Sequence, residues 1–216
     1  MNQFPFTVYD FFAYLACGFF VLVVSNHVLA LGLPLEGGVA IPQGSFLVLI
    51  SYVIGQIIAG PAAWLLERHI VCGWIGSPNQ LLFKKPHGWR RWLFPGFVTP
   101  LPEETQKRVL ERAKAAKINS PGEVLFLHAF VIVRREDTTL ARLNAFLVLY
   151  GFCRNMTFVL FLVSLLLTWA MVVRGLTLDA KWLVLSASAA IGLFYRYLKF
   201  FRQYSREVFL AYAESE

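Results

Sequence analysis

Four long apolar runs dominate the pattern of hydrophobic and polar positions along the chain. They cover Val8–Leu33, Ser45–Leu66, Met156–Val173 and Leu178–Tyr195, two on each side of a polar middle segment. A helix of roughly 18 or more apolar residues is long enough to cross the hydrocarbon core of a bilayer. The pattern therefore predicts an all-α membrane protein with four transmembrane helices and a small cytoplasmic domain.

The middle segment differs in composition from the runs on either side. It is rich in basic residues, Gly and Pro, and it contains a helical pattern after Pro102 and a short apolar run over Glu123–Arg135. That run is too short to span a membrane, so we expect a buried helix or strand. Helical patterns also extend the last two runs beyond the membrane. We predict a first transmembrane hairpin at 1–66, a basic cytoplasmic domain at 67–143, and a second hairpin with cytoplasmic helix extensions at 144–216.

The distribution of charge predicts the orientation. The formal net charge is +7, and most Lys and Arg residues lie in the middle segment and in the tail after the fourth run. The two short connections within the hairpins carry few cations. Because basic loops stay in the cytoplasm, we predict a multi-pass protein of the bacterial inner membrane with both termini cytoplasmic.

Three charged residues fall at one predicted depth, the cytoplasmic ends of the spans. Asp10 opens the first run, Arg154 lies just inside the third, and Arg196 closes the fourth. A charge at this depth is costly unless it is paired or reaches the interface. We predict a structural ion pair, either Asp10–Arg154 or Asp10–Arg196. A gating or proton-transfer role is the alternative, although a single carboxylate makes no relay.

A basic and aromatic stretch in the middle segment is the main candidate for binding. Over Phe83–Phe97 cations alternate with aromatic residues, and the residues proposed to bind are Lys84, Lys85, Trp89, Arg90, Arg91 and Trp92. Such residues place rings in the interfacial layer and cations on anionic lipid. A docking surface for a soluble protein partner is a second possibility. Nucleic acid also binds to cations, through its phosphates, and to aromatic rings, through base stacking, but we do not expect direct nucleic-acid binding.

The remaining residues show no pattern of catalysis. The spacing of His, Cys and acidic residues fits no metal site, and there is no phosphate-binding loop or nucleophile motif. We therefore predict no enzyme activity, no cofactor and no metal. Small residues at Gly55–Gly60 and Ser186–Gly192 favour close helix packing. Such packing occurs either within the helix bundle or between the copies of a homo-oligomer. We expect the chain to form a homo-oligomer.

Two short strings carry a resemblance to known proteins. FTVYDFFAYLACGFF near the start and RLNAFLVLYGFCRN before the third run resemble patterns in four-helix membrane proteins of bacterial phage-defence operons. The four-span plan with a cytoplasmic domain is similar to the membrane component of Kiwa-type systems. The resemblance implies an inner-membrane sensor or scaffold that recruits a soluble cytoplasmic partner. The alternative function is an oligomeric channel or membrane-disrupting effector gated through its cytoplasmic domain.

Overall fold

The structure, a computed structural model, describes residues 11–33, 41–84, 88–118, 120–173, 175 and 180–215. Within these ranges every regular element is a helix and no strand is present. The predicted all-α class is therefore confirmed. The chain divides into two compact units. We name them the apolar unit, Met1–Glu67 with Gly151–Tyr197, and the basic unit, Arg68–Tyr150 with Leu198–Glu216.

The helices differ greatly in length. Helix α1 starts with a π-helical turn, Phe11–Ala16, and continues over Cys17–Leu29; α2 covers Ile41–Ala62 and continues as a π-helical stretch, Ala63–Ile75. Three short helices follow: α3 at Pro78–Leu81, α4 at Trp89–Leu93 and α5 at Pro95–Val98. The last four are α6 at Glu103–Ala115, α7 at Glu123–Val133, α8 at Asp137–Val173 and α9 at Ala180–Glu214.

Three helical segments are long and apolar enough to cross a membrane. They are Ile41–Leu81, Asp137–Val173 and Ala180–Glu214. These segments contain the whole of the second and third predicted runs and most of the fourth. The described helical part of the first run, Ala13–Leu29, is apolar but shorter. Length and composition thus support a membrane protein with three candidate spans in the described residues, and the first span stays a prediction.

Helices α1 and α2 touch through their backbones at two glycines. A Cβ atom built on Gly18 would lie 1.8 Å from the carbonyl oxygen of Ser51. A Cβ on Gly55 would lie 2.0 Å from the carbonyl oxygen of Tyr14. Only glycine fits at such a crossing, because small residues let helix backbones approach closely. One of the two predicted small-residue segments therefore packs within the chain at Gly55.

The other small-residue segment also makes a contact inside the apolar unit. The hydroxyl oxygens of Ser186 in α9 and Ser164 in α8 lie 2.9 Å apart and share a hydrogen bond. By contrast, a Cβ on Gly60 or Gly192 would meet nothing within 4 Å. The predicted homo-oligomer is left as a prediction, since these contacts join helices of one chain.

The basic unit has a hydrophobic core of its own. Its buried residues come from the middle segment, from the first turns of α8 and from the last turns of α9: Leu82, Leu101, Val109, Ala113, Leu125, Ala129, Val133, Leu143, Val208, Phe209 and Tyr212. The Phe209 ring lies 5.0 Å from that of Phe83 and 6.0 Å from that of Phe126. The extension of the fourth apolar helix, which the helical pattern predicted, thus packs on the middle segment.

Candidate interaction surfaces

The basic and aromatic stretch forms a closed loop. The amide of Leu101 donates a hydrogen bond of 2.9 Å to the carbonyl of Leu82, so both ends of the loop meet in the core of the basic unit. Between them Phe94, Phe97 and Val98 are buried and anchor the loop from inside. We call residues 82–101 the basic loop. The buried anchors give the described residues 88–101 of this loop a defined shape, which a flexible linker lacks.

On α4 the two tryptophans and Arg91 face solvent, whereas Arg90 is half-buried. Trp92 is 85% exposed and Trp89 is 55% exposed. The Arg90 guanidinium lies 5.9 Å from the centre of the Trp89 ring, within the range of a cation–π contact. Arg91 is exposed beside them.

Two further members of the predicted binding set lie just before α4. Lys84 is exposed in the described part of the loop. Lys85 lies outside the described residues. The structure therefore brings Lys84 and the four residues of α4 into one loop whose tryptophan rings are largely uncovered.

An arginine of α9 holds the far end of the basic loop. Nε and Nη2 of Arg202 both donate to the carbonyl oxygen of Thr99, at 3.2 and 2.8 Å. A guanidinium presents several donors in a fixed planar arrangement, so it suits this two-point contact better than an ammonium does. The loop is thereby connected to the C-terminal part of α9 as well as to the core.

The apolar unit contains a buried cation with a partner that the sequence did not reveal. Arg154 is 8% exposed, and its Nη1 lies 2.6 Å from Oε2 of Glu67 in the π-helical stretch after α2. Its Nε donates to the side-chain carbonyl of Asn155 at 3.2 Å. The amide nitrogen of fully buried Asn155 donates in turn to the carbonyl of Ala13 at 2.9 Å. This network joins three helices, α1, α2 and α8.

The predicted ion pairs with Asp10 stay predictions. Asp10 lies outside the described residues, so the structure describes neither pair. Arg196 is exposed on α9. Because Glu67 is 29% exposed at its side chain, the Glu67–Arg154 contact compensates the cation without burying two charges completely. Glu67 therefore supports a structural role for Arg154, and we had not predicted it as a partner.

A polar cavity of about 390 Å³ opens in the basic unit. It is lined by Glu136, Thr139, Arg142, Glu207, Leu210, Ala211, Glu214 and Ser215. Nη1 of Arg142 lies 2.9 Å from Oε1 of Glu207, so one of the three carboxylates is already paired. The remaining carboxylates favour cationic groups over anionic ones.

Two hydroxyls act on a carboxylate at the edge of this cavity. Thr138 and Thr139 donate hydrogen bonds of 2.6 and 2.8 Å to the carboxylate of Glu136. Because these bonds favour the charged form, they hold the pKa of the Glu136 carboxyl below its usual range. Glu136 is therefore charged at neutral pH and supports the first turn of α8.

Sequence reasoning missed four of these residues for identifiable reasons. Glu67 follows directly on the second apolar run, and we assigned it to the cytoplasmic segment and not to the interface charges. Its position directly after the second apolar run could have identified it as a charge at the membrane interface. Asn155 was hidden beside Arg154, and the contact between Arg202 and Thr99 joins positions 103 residues apart, which no local pattern reports.

Comparisons with known proteins add no assignment. No protein-family model, no curated protein and no solved structure matches the chain. Among the described residues no group of three or more His, Cys, Asp or Glu side chains is arranged to hold a metal ion.

Proposed function

We propose that this chain is a four-span protein of the bacterial inner membrane that works as a sensor or scaffold and recruits a soluble partner. Its termini and its basic unit lie in the cytoplasm, and its basic loop contacts anionic lipid. The observation that supports the proposal best is the shape of the basic loop. Buried residues hold it closed, while its tryptophans, Lys84 and Arg91 are exposed.

The charge distribution supports the same proposal. Sixteen of the 20 Lys and Arg residues and nine of the 13 Asp and Glu residues fall within the basic unit, so that unit carries the whole net charge of +7. The apolar unit holds four residues of each sign and is neutral. Such a separation agrees with the preference for cytoplasmic basic segments. It also supplies attraction to the anionic inner leaflet.

The composition of the basic loop fits a membrane surface. Each cation close to an anionic membrane contributes about 1 kcal/mol, so four of them contribute about 4 kcal/mol at low salt. Exposed tryptophan rings are stable at the level of the lipid headgroups. Together these two contributions are large enough to hold the basic unit at the bilayer, and their loss is large enough to release it.

A charge-reversal experiment tests the loop with a matched control. The test variant replaces the four loop cations by Glu: Lys84, Lys85, Arg90 and Arg91. The control variant replaces four exposed cations in and just after α6 by Glu, which changes the net charge equally: Lys107, Arg108, Lys114 and Lys117. Both variants and the parent carry the exchanges Cys72→Ser and Leu93→Cys, and the thiol introduced in α4 bears an environment-sensitive dye.

The readout is dye emission in nanodiscs of anionic or neutral lipid. We expect a blue shift in anionic discs for the parent protein and the α6 control, and no shift for the loop variant. High salt should remove the shift, since screening weakens surface electrostatics. If both reversal variants behave like the parent, the loop does not bind lipid and acts only as a topology signal.

Topology reporters test the location independently. A reporter near Lys114 or after Glu216 should be active only in its cytoplasmic form. A reporter near Gly38 should be active only in its periplasmic form. A periplasmic result at Lys114 contradicts the proposed function as a whole, because a cytoplasmic partner could not reach the basic unit.

We further propose that the recruited partner acts in antiviral defence. This part of the proposal is supported by the resemblance to four-span proteins of phage-defence operons. A plaque assay on cells that carry the gene with its neighbours tests this part. We expect protection with the parent gene and loss of protection with the loop reversal. Release of a trapped dye from vesicles by the purified chain would favour a channel or membrane-disrupting effector instead.

A further inference from the structure

Helix α7 is apolar on both of its faces, but the structure buries only one of them. Leu125, Ala129 and Val133 belong to the core of the basic unit. Away from that core, Val124, Leu127 and Val131 are 69%, 54% and 44% exposed. The spacing of these three residues, i, i+3 and i+7, places them in one stripe along the helix. We call them the outer stripe of α7.

An exposed apolar stripe of this kind indicates a missing partner. A helix that is hydrophobic all round is normally buried on all sides. With 11 residues, α7 is too short to span a membrane. Exposed Arg134 and Arg135 follow the last residue of α7 directly, so two cations lie at the C-terminal end of the uncovered apolar surface.

We infer that the outer stripe of α7 is the docking surface for an acidic amphipathic helix of the soluble partner. The partner helix would place apolar residues at i, i+3 or i+4 and i+7 on the stripe and acidic residues beside Arg134 and Arg135. About three helical turns match the length of α7, roughly 16 Å. The inference rests on the proposed function, because it requires the basic unit to face the cytoplasm.

Charge complementarity selects this occupant. The basic unit carries the whole net charge of +7, which attracts an acidic helix. A second copy of the chain brings the same positive charge and is repelled. Helix-in-groove recognition uses the same spacing of apolar anchors that the stripe presents. Lipid and a second copy remain as outcomes that the experiment separates.

The test uses the full chain in neutral nanodiscs and two synthetic probes. The first probe is a fluorescein-labelled helical peptide of about four turns, with Leu at i, i+3 and i+7 and Glu on its flanks. The second has the same Leu positions with Lys in place of Glu. Leu127→Glu disrupts the stripe, and Ala115→Glu adds the same charge at an exposed position of α6 as the matched control.

Fluorescence anisotropy should show binding of the acidic peptide to the parent chain and to the Ala115→Glu control. Leu127→Glu should weaken that binding at least tenfold, and the Lys peptide should bind at least tenfold more weakly than the acidic one. Replacing Arg134 and Arg135 by Glu should reduce both the affinity and its salt dependence. Absence of binding, or equal binding by the Leu127→Glu variant, overturns the inference.

Two further measurements address the other occupants. A dye on Leu127→Cys, in a Cys72→Ser background, should stay solvent-exposed in anionic nanodiscs; a blue shift without peptide means that lipid covers the stripe and overturns the inference. Dimers that dissociate in the Leu127→Glu variant would mean that a second copy covers it, with the same consequence. A periplasmic reporter at Lys114 would end the proposed function and leave the peptide result unaffected.

Discussion

The contact between α1 and α2 predicts an unusually large effect of a single methyl group. In Gly55→Ala the added Cβ would start 2.0 Å from the carbonyl oxygen of Tyr14. Carbon and oxygen atoms need more than 3.0 Å, so the two backbones must separate locally by at least about 1 Å. Neither the oxygen nor the methyl group belongs to a flexible side chain that can move aside.

The magnitude follows from two opposing terms. Overpacking a tight contact typically costs about 1–3 kcal/mol, and a rigid backbone neighbour belongs at the upper end of that range. Alanine inside a helix returns about 1 kcal/mol relative to glycine. We expect a net loss of about 2 kcal/mol of unfolding free energy for Gly55→Ala. The same reasoning applies to Gly18→Ala, whose Cβ would start 1.8 Å from the Ser51 carbonyl oxygen.

Thermal unfolding of the purified chain in detergent measures the effect. For a chain of this size, about 2 kcal/mol corresponds to a fall in Tm of roughly 4–8 °C. Gly192→Ala is the matched control, because its Cβ would meet nothing within 4 Å and the exchange also lies inside an apolar helix. That control should unfold at the same temperature as the parent or slightly above. If Gly55→Ala is as stable as Gly192→Ala, the close crossing of α1 and α2 is refuted.

The remaining predictions concern the polar contacts. Removing Glu67 or Arg154 should each cost about 2 kcal/mol, and the double exchange to Ala should cost less than their sum; strict additivity in detergent unfolding would show that they do not interact. Arg202→Lys cannot make the two-point contact with Thr99, so trypsin should cleave the basic loop faster, and an unchanged cleavage rate would contradict the contact. The pKa of Glu136 is lower in the folded chain than its ordinary value of 4.5. Its contribution to stability is therefore fully present above about pH 4.5 and is lost as the pH falls through the folded-state pKa. Glu136→Gln should flatten this acid dependence, which unfolding midpoints measured against pH would show.

Local patterns predicted the helices well. The all-α class, the start of α6 after Pro102 and the extension of both late apolar helices beyond their runs are visible in the sequence, because proline positions and apolar periodicity act over a few residues. The apolar run at Glu123–Arg135 was predicted to be buried, and it forms a helix, but only one of its faces is covered. Periodicity shows which apolar residues favour burial, but it does not show whether another part of the same chain buries them.

The contacts of the candidate sites were harder to predict. Arg154 was recognised as a cation in need of a partner, whereas Glu67 was assigned to the cytoplasmic segment, so the Glu67–Arg154 contact was not foreseen. The exposed side of the basic loop followed from its composition. Its closure by Leu82 and Leu101 did not, because a hydrogen bond between distant loop ends depends on the packing of the whole unit.

The network around Arg154 also has a consequence for the order of events during biosynthesis. Glu67 and Arg154 are 87 residues apart, and Ala13 and Asn155 are 142 apart. At a synthesis rate of roughly 5–20 residues per second, the Glu67 carboxylate leaves the ribosome about 4–17 seconds before its guanidinium partner. The hairpin of α1 and α2 is already translated during that interval, since Gly18 and Gly55 both precede Glu67. Until Arg154 has been translated, water must solvate that carboxylate, so the network around Arg154 can close only after the whole α1–α2 hairpin has left the ribosome.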